Sequence, residues 1–413
     1  DASAALDVTL LPPGLRAADL DALAAEFGTP LFVYDEDHLR ARCGEYLAQF
    51  GADNVAYAGK SFLCRAMVAL VDDARLHLDV ATGGELHLAL AAGFPPARLV
   101  FHGNNKSETE LVAARDAGVG RVVADSFDEI DRLVHVGFAG EVLVRVTPGV
   151  EAHTHEFIQT GTDDSKFGFT VSTGAAADAV ARVVAAPTLH FGGIHAHIGS
   201  QVFRLDSYAQ AAAVVGAFAD ECERSTGAEI PLVNLGGGLG ARYLNSDPDP
   251  SVAEYAAALR TGVGDRRIMV EPGRSIAAAA ALTVYRVGTV KGIPGGRTYV
   301  AVDGGMSDNP RPVLYGAGYE AYLVRARDAA RPLRASVAGK HCEQGDIVVP
   351  DAHLPADVRV DDLLVTPVTG AYGYSMASNY NKVPRPAVVF LRDGTARIVV
   401  RRETLDDLLR LDA

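Results

Sequence analysis

A few segments of the chain carry residue types at spacings that could do chemistry. Lys60 directly follows an apolar run, VAYAG at 55–59. It is either a solvated or paired surface amine, or one partly screened from water, whose lowered pKa suits Schiff-base formation with a carbonyl or with pyridoxal phosphate. His195 and His197 close a later apolar run and are followed by Gly199, Ser200 and Gln201. Two residues apart on a strand they face the same side, as a metal pair would. No spacing in the chain supplies a further ligand with them, so no metal is expected. A hydrogen-bonded structural histidine and an imidazole packed flat on a cofactor ring are the remaining readings.

GGGLG at 236–240 and Glu271-Pro272-Gly273-Arg274 follow two further apolar runs. The glycines read either as a tight turn or as an anion cup of bare backbone N–H groups. A carboxylate such as Glu271 beside a pyridine nitrogen would keep that nitrogen protonated and strengthen the ring as an electron sink. The plainer alternative is a Glu271–Arg274 surface pair. Later come three polar clusters: Asp308-Asn309-Pro310-Arg311-Pro312 with Tyr315, Cys342-Glu343 with Asp346, and Tyr372. They are too polar for core strands, and a rim or interface suits them. Cys342 is an inert thiol by default and an acid if it stands beside a bound substrate.

The elements that must position these groups are legible from periodicity. Eight short apolar runs, VAYAG, LHLDV (76–80), RLVFHG (98–103), GRVVAD (120–125), EVLVRV (141–146), LHFGGIHAHIG (189–199), PLVNLGG (231–237) and RRIMVEPG (266–273), alternate with segments of helical period. The predicted helices are Phe62–Asp73, Gly84–Ala92, Lys106–Ala117, Phe127–Val136, Thr173–Ala185, Leu205–Arg224 and Val252–Arg260. Almost continuously apolar strands joined by helices describe an α/β fold, a (β/α)8 barrel of the TIM type better than the alternative, a doubly wound open sheet; in a barrel the chemistry sits just past the C-terminal strand ends. After Ser275 the runs become short, β-branched and punctuated by Gly, Pro and Asp, which predicts an all-β domain over 276–413. Residues 36–275 then form the barrel, and residues 1–35 complete the β domain. Segments 151–166 and 305–320 read as loops.

With 38 basic against 52 acidic residues, the net charge of -14 disfavours nucleic acid and anionic membranes as partners. Four cysteines without CxxC or ligand spacing suit a reducing cytoplasm. Neither a signal peptide nor a membrane span is expected.

Taken together the segments resemble the diaminopimelate decarboxylases, within the alanine-racemase-like class of pyridoxal-phosphate enzymes that also holds ornithine and arginine decarboxylases. The resemblance runs from about Pro30 to about Val389. It is carried by YAGK (57–60), LDVATGGEL (78–86), FHGNNKS (101–107), GIHAHIGSQ (193–201), NLGGGLG (234–240), EPGR (271–274), DGGMSDNPRPVLY (303–315), HCEQGD (341–346) and GAYGYSMASNYN (370–381), all in the family's order.

The resemblance implies a (β/α)8 barrel with a β domain, and pyridoxal 5'-phosphate as cofactor. Lys60 would be the Schiff-base lysine, His197 would stack on the ring and Glu271 would meet its nitrogen. Asp79, Ser200, Gly237, Gly238, Gly273, Arg274 and Tyr372 would also bind the cofactor. Arg274, Arg311, Tyr315, Glu343 and Tyr372 would bind substrate, and Lys60 or Cys342 would supply a proton. Cys342 and Glu343 would come from the second subunit of a homodimer. The implied reaction is loss of CO2 from the D-centre of meso-diaminopimelate to give L-lysine, the last step of lysine biosynthesis. Ser61-Phe62 and Gln344 depart from the residues usual in relatives, and neither removes a charged group. An ornithine- or arginine-type decarboxylase would have no need of Arg311 for a second carboxylate. A racemase of this class would need a proton-transferring tyrosine opposite the lysine and would have a shorter β domain, and a non-enzymatic cofactor-binding protein would have no reason to keep the cluster at Cys342.

Overall fold

A computed structural model describes residues 4–149 and 163–413, so most of the expected loop at 151–166 lies outside the described residues. They form two compact units: residues 42–240 with 249–275, and the residues up to Ala41 with 241–248 and 276–413.

The first strand, β1 (Leu31–Asp35), belongs to the second unit. Next in the chain come β2 (Ala56–Ala58), β3 (His77–Val80), β4 (Leu99–Phe101), β5 (Arg121–Ala124), β6 (Glu141–Thr147), a two-residue β7 (Phe169–Thr170), β8 (His190–Ala196), β9 (Val233–Asn234) and β10 (Ile268–Met269). They pair in parallel in the order β2-β3-β4-β5-β6-β8-β9-β10, with β7 beside β6. Ala56 N donates to Val270 O at 2.9 Å and Val270 N to Asn54 O at 3.0 Å, which joins β10 back to β2 and closes the barrel.

All eight expected apolar runs are barrel strands, and each is almost continuously apolar because both of its faces are covered. Ala56, Val100, Val123, Leu143, Leu232 and Met269 meet as a fully buried interior cluster. The helices after β3, β4, β5 and β9 begin where polar side chains cap them. Thr82, Ser107, Ser126 and Ser251 each accept from the backbone N–H three residues on, and Ser107 and Ser251 form full capping boxes with Glu110 and Glu254. Each cap stabilises its helix by about 1 kcal/mol and fixes where a strand-to-helix loop ends. The helices that follow the loops of Lys60 and of His197 have no such side-chain cap.

The second unit holds a nine-stranded mixed sheet made of β1 and the remaining strands: β11 (Ala281–Gly292), β12 (Thr298–Val302), β13 (Tyr322–Leu323), β14 (Leu333–Ala338), β15 (Ile347–Leu354), β16 (Leu363–Pro367), β17 (Ala387–Arg392) and β18 (Thr395–Val400). β1 lies between β11, antiparallel to it, and β17, parallel to it. The register of β11 against β12 shifts between Val287 and Thr289, so its first half pairs with β1 and β16 and its second half with β12. Residues 241–248 sit between barrel strands in sequence but cluster with this sheet.

Two expectations need correction. Segment 305–320 is not all loop: Arg311–Tyr315 is one helical turn, entered through Pro310 and Pro312 and ended by Gly316 at φ +62°, its N–H returning to the helix. Within the expected all-β domain, the apolar run YLVRA (322–326) gives only a two-residue strand before a 3-10 turn at Val324–Ala326. Among the described residues no helix is long and apolar enough to cross a membrane.

Candidate active site

Chemistry-bearing side chains gather at the C-terminal ends of the barrel strands. Lys60 sits in a 3-10 turn, Gly59–Ser61, immediately after β2, with its side chain exposed. Ser61 donates to Ala58 O at 2.9 Å and Tyr57 donates to Phe62 O at 2.7 Å, and these bonds fix the turn from below. Gly273, after β10, packs directly on it: a Cβ there would lie 2.9 Å from that of Ala58 and 3.0 Å from Ser61 Oγ. The loops after the first and last barrel strands are thus locked together.

Glu271 is buried at the end of β10, and each of its oxygens is held by an imidazole. His195 Nε2 lies 2.5 Å from Oε1, and His102 Nε2 lies 2.5 Å from Oε2. Burial opposes its charge, but the two histidines outweigh that and hold the carboxyl well below its ordinary range. His195 is driven to about 4 by burial, against the pull of Glu271, and so is neutral. His102 goes the other way, to about 9: burial works against its charge, while Glu271 and then Asp79 favour it. Asp79 Oδ1 stands 3.7 Å from His102 Nε2, and burial and the charge of Glu271 push its own carboxyl well up. The three groups His102, His195 and Glu271 offer ligand atoms within 4.8 Å of one another. Direct hydrogen bonds account for that spacing.

His195 and His197 do not form a pair. His195 turns to Glu271, whereas His197 Nδ1 accepts from Gly237 N at 3.3 Å. Burial, with Lys60 next, keeps His197 well below its usual value, so a neutral ring is presented. Arg274 donates to Ser200 Oγ through Nη2 at 2.7 Å and Nε at 3.2 Å. The surface pair considered for Glu271 and Arg274 is therefore not what forms. Gly237 and Gly238 are needed for backbone contact: a Cβ would lie 2.3 Å from Glu271 O at the first and 2.2 Å from Gly199 O at the second.

This donor set suits a pyridoxal phosphate. An exposed amine is available to its carbonyl, a buried anionic carboxylate to its ring nitrogen, a neutral imidazole face to its ring, and a guanidinium with a hydroxyl to its phosphate.

The other expected residues belong to the second unit. Arg311 is 5% exposed, donates from Nη1 to the Tyr319 hydroxyl at 2.6 Å, and lies 4.5 Å from the centre of the Tyr243 ring. Its Nε and the neighbouring Asn309 Nδ2 are buried donors without a partner among the described residues. Tyr315 ends the same helical turn, half-buried. Tyr372 is held at φ +59°, a left-handed backbone that costs a side-chain-bearing residue roughly 1–2 kcal/mol. Cys342 and Glu343 are exposed. Asp346 accepts from His341 N at 2.9 Å, His341 Nδ1 at 2.7 Å and Met306 N at 2.7 Å, so its task is to shape the turn that presents them. Asp308, bonded to the Tyr285 hydroxyl and to Gly305 N, is likewise structural, and burial lifts its carboxyl to about 7.

The residue that sequence reasoning missed is His102. It stands directly after the strand run LVF inside FHGNNKS, so position at a strand end was the available signal.

The family described as "Pyridoxal-dependent decarboxylase, pyridoxal binding domain" matches residues 36–278. The diaminopimelate decarboxylase of Mycobacterium tuberculosis is 51% identical over 415 residues, covering 95% of this chain and 93% of the relative. That of Bacillus subtilis is 45% identical, covering 96% and 95%. Among solved structures, diaminopimelate decarboxylase from Helicobacter pylori complexed with L-lysine superposes with a TM-score of 0.88 at 29% identity, covering 95% of this chain and 99% of that one. The enzyme from M. jannaschii, also in complex with L-lysine, gives 0.89 at 30% identity, covering 98% and 97%.

Proposed function

The chain belongs to the diaminopimelate decarboxylases, pyridoxal-phosphate-dependent enzymes, and from that premise we propose how its residues divide the work of releasing CO2 from meso-diaminopimelate to leave L-lysine. The observation that carries the reading is the buried, doubly held carboxylate of Glu271 in the same ring of strand ends as the exposed amine of Lys60. Bound pyridoxal phosphate supplies an electron sink for the pair left on Cα when CO2 departs.

Everything else is done by the protein. Lys60 Nζ would hold the cofactor at its carbonyl carbon, and as a free amine it would carry a proton at Cα. Glu271 holds a proton at the ring nitrogen. His197, neutral and fixed by Gly237 N–H, offers a flat face that adds no charge to the ring. Arg274 with Ser200, beside Gly237 and Gly238, holds the phosphate. Arg311, paired with Tyr319 and with its Nε unmatched among the described residues, would take the distal carboxylate, the group that separates diaminopimelate from lysine and ornithine. Tyr315 and Tyr372 line the same substrate, Glu343 neutralises its distal ammonium, and Cys342 is the alternative proton donor to Lys60.

Cys342 and Glu343 serve the neighbouring subunit of a homodimer in this reading, which their exposure supports. Residues 36–275 carry the cofactor, and 1–35 with 276–413 carry the substrate-selecting groups. The setting is the cytoplasm, which the four free cysteines support, without nucleic acid or membrane as partner, which the charge of -14 supports.

The test is an amino-acid screen of the cofactor-loaded protein, following CO2 release with chiral analysis of the product. Release from meso-diaminopimelate with L-lysine formed is expected. Turnover of ornithine or arginine in preference would overturn the substrate, and failure to acquire any visible absorbance band with pyridoxal phosphate would overturn the whole reading.

A further inference from the structure

Glu271 is gripped from two strands at once. His102 comes from the end of β4 and His195 from β8, and their rings meet at 63° with centres 4.9 Å apart. Each Nε2 lies 2.5 Å from a different carboxylate oxygen. A carboxylate oxygen has two acceptor positions, so each oxygen keeps one after accepting from an imidazole N–H. Two donors on opposite oxygens also stop the carboxylate rotating about its Cγ–Cδ bond, which one donor would not.

His102 is itself firmly placed. Its backbone N–H donates to Val80 O at 2.8 Å, and the next carbonyl, that of Gly103, accepts from Lys106 Nζ at 2.7 Å. Lys106 in turn is buried against Glu129 at 2.6 Å and Val123 O at 2.8 Å. The FHGNNK segment thus works as a bracket: a histidine at one end, an internal lysine anchor at the other.

We propose that His102 is a positioning residue for the cofactor's ring nitrogen: together with His195 it fixes the plane of the Glu271 carboxylate so that one remaining acceptor position faces that nitrogen. The inference rests on the proposed function, and it assigns His102 no contact with cofactor or substrate. The charge assignment supports it, since a cationic His102 beside an anionic Glu271 leaves little net charge to desolvate.

The experiment compares binding of two probes to the apo-protein, pyridoxal phosphate and its deaza analogue with C–H in place of the ring nitrogen. Affinities are read from the visible absorbance of the bound cofactor. Wild type is expected to prefer pyridoxal phosphate by at least roughly tenfold, the worth of a charge-assisted hydrogen bond. His102→Leu should lose most of that preference, and His102→Gln, which keeps a donor at nearly the same reach, should recover it. Where leucine disturbs the fold by near-ultraviolet circular dichroism, His102→Asn, whose amide stops short of Glu271, takes its place. Equal weakening of both probes, with the preference kept, would mean a merely structural histidine and overturn the proposal. Equal affinity of wild type for the two probes would overturn it as well. Equal weakening leaves the proposed function standing, whereas equal wild-type affinity would also take Glu271 off the ring nitrogen; the cofactor assignment itself fails only if wild type binds no pyridoxal phosphate at all.

Discussion

Replacing Lys106 by methionine tests whether the bracket after β4 is as highly stressed as its burial implies. Lys106 Nζ donates to Glu129 Oε1 at 2.6 Å, Gly103 O at 2.7 Å and Val123 O at 2.8 Å, and both side chains of the ion pair are 1% exposed. Methionine fills the same volume but leaves a buried carboxylate and two carbonyls without their donor. Breaking a buried pair from one side costs about 3–5 kcal/mol. Burial already raises the Glu129 carboxyl against the opposing charge of Lys106, so without the lysine it takes up a proton, which keeps the cost within that range. For a unit of this size each kcal/mol is worth about 2–4 °C, so the thermal midpoint should fall on the order of 10 °C. Lys106→Met with Glu129→Leu removes both charges and should regain part of the loss, the remainder being kept by the carbonyls of Gly103 and Val123 and by the Asp125 N–H that Glu129 Oε2 accepts from. Cofactor affinity, in contrast, should stay low in the double variant, because Gly103 O still lacks its donor and His102 is still loosely held. Scanning calorimetry and a cofactor titration read the two effects separately. A midpoint within about 2 °C of wild type for Lys106→Met, or a double variant less stable than the single, would refute the reasoning.

Four further outcomes are expected. Lys60→Ala should abolish turnover and the borohydride-fixed cofactor adduct with an unchanged circular dichroism spectrum, since the side chain is exposed; a labelled peptide containing Lys106 or Lys166 would contradict this. Arg311→Ala strands a desolvated carboxylate at about 2–5 kcal/mol, so kcat/KM on diaminopimelate should fall roughly 30- to several-thousand-fold with the cofactor spectrum intact; a loss below about threefold would move the role to another cation. Gly237→Val should lower cofactor affinity and barrel stability together, because its side chain meets Glu271 O and not only the phosphate; unchanged affinity by titration would show the glycine run to be a plain turn. Lys60→Ala and Cys342→Ala proteins should each be nearly inactive yet regain about a quarter of wild-type activity on verified subunit exchange, since half the dimers then hold one intact site; an active Cys342→Ala parent, or no rescue, would remove Cys342 from the shared site.

The barrel was legible because parallel strands covered on both faces must be almost continuously apolar, and each of the eight runs was set off by a helical period. Lys60, His197, Glu271 and Arg274 were legible for the same reason: a polar residue that ends an apolar run has few places to be. What escaped were pairings between distant strands. Nothing local in FHGNNKS says that His102 meets Glu271, 169 residues on. The glycines of GGGLG were read as openings toward an anion, whereas Gly237 and Gly238 also make room for the carbonyls of Glu271 and Gly199. The turn at Arg311–Tyr315 was hidden by its own prolines, which break a periodic pattern and yet suit the first turn of a helix.

The place of β1 bears on the order in which the chain can be assembled. It is made before the barrel, yet both its neighbours, β11 and β17, follow the barrel in the chain. The whole barrel therefore leaves the ribosome before β1 has either partner. Until then the backbone groups of LFVYD stay unpaired, a sticky apolar edge of the kind that recruits other chains. A fragment beginning at residue 276 inherits the same difficulty in reverse: two central strands whose facing edges lack the one between them.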